Sequence, residues 1–89
     1  MNEQTEKNTV LVVEDDAELC EFIASGLEEE GFAVLQAANG EEGMEAALDH
    51  LPDLVITDIM MPVMDGITLC NELKSHSLTA HIPVIMLTA

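Results

Sequence analysis

The sequence predicts an α/β domain built on a doubly wound parallel sheet, and three observations carry that prediction. The runs "VLVV" from Val10, "LVIT" from Leu54 and "VIML" from Val84 are apolar without alternation. Such runs mark strands covered by helices on both faces. Helix-spaced apolar residues fill the intervals between them, and strands alternating with helices imply right-handed crossovers into one sheet.

Each element follows in order. The first nine residues, "MNEQTEKNT", are polar and predict a disordered tail over 1–9, with the folded unit over 10–89. After the first strand, Cys20, Ile23, Ala24 and Leu27 share one helical face while Glu18, Glu21, Glu28 and Glu29 occupy others. Gly31 is placed to stop that helix. "FAVLQA" from Phe32 is half polar, as an edge strand would be. Met44, Ala47, Leu48 and Leu51 repeat the helical spacing, with Asn39 as cap and Pro52 ending the segment. Asp65 opens a third helix whose stripe is Leu69, Cys70 and Leu73. The segment "KSHSLTAHIP" reads as a long polar loop before the last strand.

Size and charge narrow the function. A domain of 89 residues buries only roughly 60 to 65% of its unfolded surface, so its stability margin is thin. Eighteen acidic residues against Lys7 and Lys74 give a formal charge of −16. That charge argues against direct contact with nucleic acid or an anionic membrane and favours a cation or a basic partner. No apolar run approaches the roughly 20 residues of a membrane span, and the amino terminus lacks the apolar core of a secretory signal. A cytoplasmic protein is the simplest expectation, with Cys20 and Cys70 as reduced thiols.

In an open α/β sheet, ligands bind beyond the carboxyl ends of the strands, where the strand order reverses. Those ends carry Glu14, Asp15 and Asp16 after the first strand, Asp58 after the third and Thr88 after the last. No glycine-rich turn follows Val13, so a phosphate cradle for a nucleotide or flavin is disfavoured. Carboxylates about 4 Å apart repel by roughly 4 kcal/mol at an effective dielectric of 20. A cluster of that kind either takes up protons or holds a cation, and oxygen donors without cysteine or histidine favour Mg²⁺.

"VLVVEDD", "LVITDIMMPVMDG" and "PVIMLTA" resemble, in order and spacing, the receiver domain of two-component response regulators, over Val10 to Ala89. The resemblance implies a flavodoxin-like sheet of order 2-1-3-4. It implies that Asp58 is the phosphoacceptor, taking a phosphoryl group from a histidine kinase or phosphotransfer domain. Asp15, Asp58 and the backbone carbonyl of Met60 would ligate Mg²⁺ directly, with Glu14 acting through water. Thr88 would contact the phosphoryl group and act as the switch, and the small Ala89 would leave room for it. Such a domain is a phosphoacceptor rather than an enzyme, at most assisting its own phosphoryl transfer and hydrolysis. Other residues have plainer expected roles: Asp16 and Asp65 as helix caps, Gly66 allowing close packing, Pro62 stiffening the loop and Met61 packing. His50, His76 and His81 are expected at the surface or in loops, and Thr57 and Thr68 carry no functional signal.

The sequence departs from the family after Ala89, where a complete receiver continues with a fifth strand, a lysine that pairs with the phosphoryl group and two more helices. A fragment of a longer protein, such as a hybrid sensor kinase, accounts for that. The last strand is then expected to be an exposed apolar edge that pairs with another copy or swaps elements, and Leu19, Ile23 and Leu27 of the first helix are at risk of exposure. An alternative of another class is an acidic binding or assembly module that is not phosphorylated. A haloacid-dehalogenase-like phosphatase is disfavoured, because it needs an aspartate where Met60 stands.

Overall fold

The structure, a computed structural model, describes residues 7–87, so Thr88 and Ala89 lie outside the described residues. The described elements are β1 (Thr9–Val13), α1 (Ala17–Glu29), β2 (Ala33–Ala37), α2 (Gly40–His50), β3 (Leu54–Asp58), α3 (Gly66–Ser75) and β4 (Val84–Leu87). All pairings are parallel, in the order β2-β1-β3-β4 expected from the sequence. Residues 1–6 of the expected tail lie outside the described residues, and the first strand starts one residue before the expected boundary at Val10. Thr9 is already in β1, its N–H donating to Asp53 Oδ2 at 2.7 Å, and the Asn8 carbonyl accepts from Ala33.

Helices cover both faces of the sheet, and each face has its own core. On one side Leu11, Val13, Ala37 and Val55 pack with Ala47 of α2 and Leu69 and Leu73 of α3. On the other, Val10 and Val12 pack with Cys20 of α1, flanked by Ile23, Leu27, Val34 and Ile56. The central β1 is therefore buried on both faces, which is why its sequence never alternates.

Local chemistry sets the helix limits. The Asp16 carboxylate accepts from the N–H groups of Glu18 and Leu19, satisfying two amides that have no partner within α1. At the other end Gly31 has φ 101°, its N–H donates to the Glu28 carbonyl, and Phe32 N–H reaches back to Leu27. This is the Schellman arrangement, which an L side chain resists. Asn39 caps α2, and Glu42 reaches back to the Ala38 N–H. Leu51, expected on the apolar stripe of α2, is instead its left-handed C-cap, 47% exposed, because Pro52 cannot continue the helix.

Two further expectations are refined. The segment before β4 is polar in composition but not a loose loop: Thr79 and Ile82 are buried. Thr79 Oγ1 donates to the Leu73 carbonyl at 2.7 Å, and Lys74 Nζ donates to the carbonyls of Ala80 and Ile82, closing the end of α3. On α1, Ile23 and Leu27 are half-covered, whereas Leu19 is 42% exposed and Phe22 76% exposed, Phe22 lining an open depression of about 550 Å³.

Because Gly31 is left-handed and a Cβ there meets no neighbour, Gly31→Ala isolates backbone strain. The substitution is expected to cost about 1–2 kcal/mol. In a domain of this size the melting temperature then falls by roughly 4–8 °C for each kcal/mol, read by thermal circular dichroism.

Candidate functional site

The register of the sheet assembles the site. Val13 pairs with Thr57, so β1 and β3 end at the same level, and the chain reverses its winding between them. Glu14 and Asp15 leave β1 there, and Asp58 closes β3 beside them. Oxygen atoms of Glu14, Asp15 and Asp58 all lie within 4.8 Å of one another. Glu14 is buried, Asp58 half-buried and Asp15 exposed, giving a cluster with one wall in the core and one open to solvent.

The Glu14 carboxylate accepts from the Asp16 N–H at 3.0 Å, which aims it across the turn, and its own N–H donates to the Ala37 carbonyl. Burial pushes its acid titration above the usual 4.5, and the charges of Asp58 and Asp15 push in the same direction. At 4.8 Å two carboxylates repel by roughly 3 kcal/mol at an effective dielectric of 20. The charges that act on Glu14 are those of Asp58 and Asp15, both negative, and Lys74 is committed to the carbonyls of Ala80 and Ile82. A hard divalent cation is the natural complement of such an all-oxygen set.

The other predicted residues frame the cluster. Asp16 is turned away from it as the α1 cap, and Asp65 caps α3 through the Thr68 N–H at 2.7 Å. That bond to Thr68 holds the Asp65 acid below its usual 3.8. Gly66 is buried, and a Cβ there would run into the Asp58 carbonyl oxygen, so only glycine lets α3 start this close to β3. Met60 lies two residues past Asp58, its N–H making a long 3.4 Å contact with Asp58 Oδ1 and its side chain 72% exposed. Met61 packs against the core cluster on the α2 and α3 face.

Pro62 begins a tight turn in which Met64 N–H donates to the Pro62 carbonyl at 2.8 Å across Val63, whose φ is 72°. A three-residue turn of this hand is rare, and a β-branched residue in it is strained by about 1–2 kcal/mol. Val63 is 76% exposed, so its own side chain does not repay that strain.

Sequence reasoning missed Thr57 and two glycines. Thr57 is fully buried, and its hydroxyl donates to the Asp58 carbonyl at 3.0 Å. Gly43 lies where a Cβ would press on Val13 Cγ2 at 2.9 Å, and Gly40 lies against Met64. A buried threonine next to the strand-end aspartate was visible as a residue. The glycine contacts, made between distant segments, had no local signal.

Fold and site together define a doubly wound α/β protein with an acidic centre at its topological switch point. Residues 10–89 match the family described as response regulator receiver domain, and the chain belongs to it. It is 43% identical over 81 residues to the phosphate regulon transcriptional regulatory protein PhoB of Pseudomonas aeruginosa, covering 91% of this chain and 35% of that protein. It is 41% identical over 86 residues to histidine kinase P4 of Formosa agariphila, covering 97% of this chain and 6% of that one. Among solved structures, the N-terminal domain of a response regulator receiver protein from Methanoculleus marisnigri superimposes with a TM-score of 0.88 at 42% identity, over 91% of this chain and 66% of that one. The chain thus spans about a third of the regulatory protein and a small part of the kinase. Among the described residues, no helix is long and apolar enough to cross a membrane.

A group whose folded-state titration is raised adds stability that is complete below the unfolded value and is lost as pH rises through the folded one. Glu14 is such a group, so without divalent metal its charge destabilises the fold at neutral pH. Glu14→Gln, whose amide oxygen can still accept from Asp16, is expected to raise the metal-free melting temperature at pH 7.5 and to leave it unchanged at pH 4. Scans across that range in a chelating buffer measure the difference.

Proposed function

We propose that the chain is a phosphoacceptor module of a two-component relay, with Asp58 accepting a phosphoryl group from the phosphohistidine of a histidine kinase or phosphotransfer domain. The carrying observation is the convergence of the Asp58 carboxylate with those of Glu14 and Asp15 at the ends of two adjacent strands. The all-oxygen donor set and the buried, repelled Glu14 fit Mg²⁺. In this reading Asp15, Asp58 and the Met60 carbonyl would hold it directly, with Glu14 acting through water. When bound, Mg²⁺ offsets the negative charge of the three carboxylates and of the incoming phosphoryl group.

The remaining steps belong to the chain. An ionised Asp58 oxygen attacks phosphorus, forming a P–O bond as the P–N bond to the donor imidazole breaks; an imidazole protonated on its other ring nitrogen leaves neutral, and an unprotonated one leaves as imidazolate that takes a proton from water. Thr57 donates to the Asp58 carbonyl and Gly66 packs closely on it, so the backbone that carries the carboxylate is braced. Thr88 is assigned the phosphoryl contact and switch, and Ala89 the space beside it.

Phosphorylation is tested on the full chain with a small-molecule phosphodonor. An increase in mass by one phosphoryl group is expected with Mg²⁺, and its loss is expected with chelator or in Asp58→Asn. Label that persists in Asp58→Asn overturns the assignment.

Self-association through β4 is part of the same reading. Among the described strands β4 pairs only with β3, and Ile85 and Met86 are 49% and 39% exposed on it. Such an edge offers unpaired backbone groups to a second copy. Ile85→Lys is expected to shift sedimentation toward the monomer at high protein concentration. An unchanged profile would remove this interface.

A further inference from the structure

Asp58 and Met60 sit at the start of the segment Ile59–Asp65, so the cation site is only as well placed as that segment. Its base is closed by the bond from Gly66 N–H to the Ile59 carbonyl at 2.9 Å. Beyond the base, the backbone of Met61–Met64 makes one hydrogen bond among the described residues, and that bond is internal to the strained turn at Val63. Hydrogen bonding therefore does not fix the tip, and the left-handed Val63 favours any motion that relaxes it.

Packing fixes it instead. Met64 is half-buried against the core and lies over the first residue of α2. A Cβ at Gly40 would meet the Met64 carbonyl oxygen and would stand 2.7 Å from its Cβ and 2.8 Å from its Cγ. Those contacts are roughly 1 Å short of ordinary van der Waals separation. Gly40 is not left-handed, so its backbone would accept alanine. Alanine would also favour the helix. The only requirement for glycine here is space for Met64.

We propose that Gly40 is a positioning residue for the acidic centre: by leaving room for Met64 it seats the β3–α3 segment on α2 and so holds Met60 and Asp58 in register with Glu14 and Asp15. The inference rests on the reading of that centre as a Mg²⁺ site. Displacing a supporting contact of a metal site typically weakens binding by 10- to 100-fold.

The test compares Mg²⁺ affinity by calorimetric titration in the full chain, Gly40→Ala and Met64→Ala, with Gly31→Ala as a control that loses stability far from the segment. About tenfold weaker binding is expected in Gly40→Ala and in Met64→Ala, and wild-type affinity in Gly31→Ala despite its lower melting temperature. Wild-type affinity in Gly40→Ala, or a loss no larger than in Gly31→Ala, overturns the proposal. Amide hydrogen exchange at Gly66 separates this from a failure of the metal reading itself. If the wild-type chain binds no Mg²⁺, the metal assignment falls, while the seating of the segment stands if Gly66 exchanges faster in both variants with β1 unchanged. It falls too if Gly66 exchange is unaltered.

Discussion

The molecule depends on carboxylates brought together at the carboxyl ends of β1 and β3. Parallel pairing with Val13 opposite Thr57 brings the carboxylates of Glu14, Asp15 and Asp58 within 4.8 Å of one another. Burial of Glu14 sharpens the repulsion, because a charge removed from water is less screened. The arrangement costs the fold stability at neutral pH, and an all-oxygen set of this kind is the chemical complement of a hard cation. The surrounding contacts can be understood as the means of keeping that centre rigid.

Acidic residues serve opposite purposes within a few positions of one another. Glu14 and Asp15 face the centre, whereas Asp16, next in sequence, turns its carboxylate onto the amides that begin α1. The same division occurs after β3, where Asp58 faces the centre and Asp65 caps α3. Caps place carboxylates at the positive ends of helices, where they stabilise; the centre places them beside each other, where they do not. A high negative charge therefore says little about stability until each carboxylate is located.

Small residues do the corresponding work for the backbone. Gly66 lets α3 begin against the Asp58 carbonyl, Gly43 lets α2 approach Val13, and Gly40 receives Met64. None of these three requires a left-handed backbone. Each removes a side chain so that another segment can come close, Gly66 on Asp58 itself, Gly43 on the residue before Glu14 and Gly40 on the segment that follows Asp58. The long connection before β4 is polar in composition yet tied to α3, Thr79 donating to the Leu73 carbonyl and Lys74 of α3 donating to the carbonyls of Ala80 and Ile82.

The sequence alone determined what rests on neighbouring residues: the order of strands and helices, the caps at Asp16, Asn39 and Asp65, the stop at Gly31, and the acids waiting at strand ends. Continuous apolar runs and capping side chains express local geometry, so they are legible without a partner. Tertiary structure decided what rests on register and on contacts between distant segments. The burial of Glu14, Thr57, Thr79 and Ile82, the left-handed Leu51 and Val63, the exposure of Phe22 and the fit of Met64 onto Gly40 are of this kind. Position along the chain places Glu14, Asp15 and Asp58 at strand ends, but only the pairing of β1 with β3 brings their oxygens within 4.8 Å.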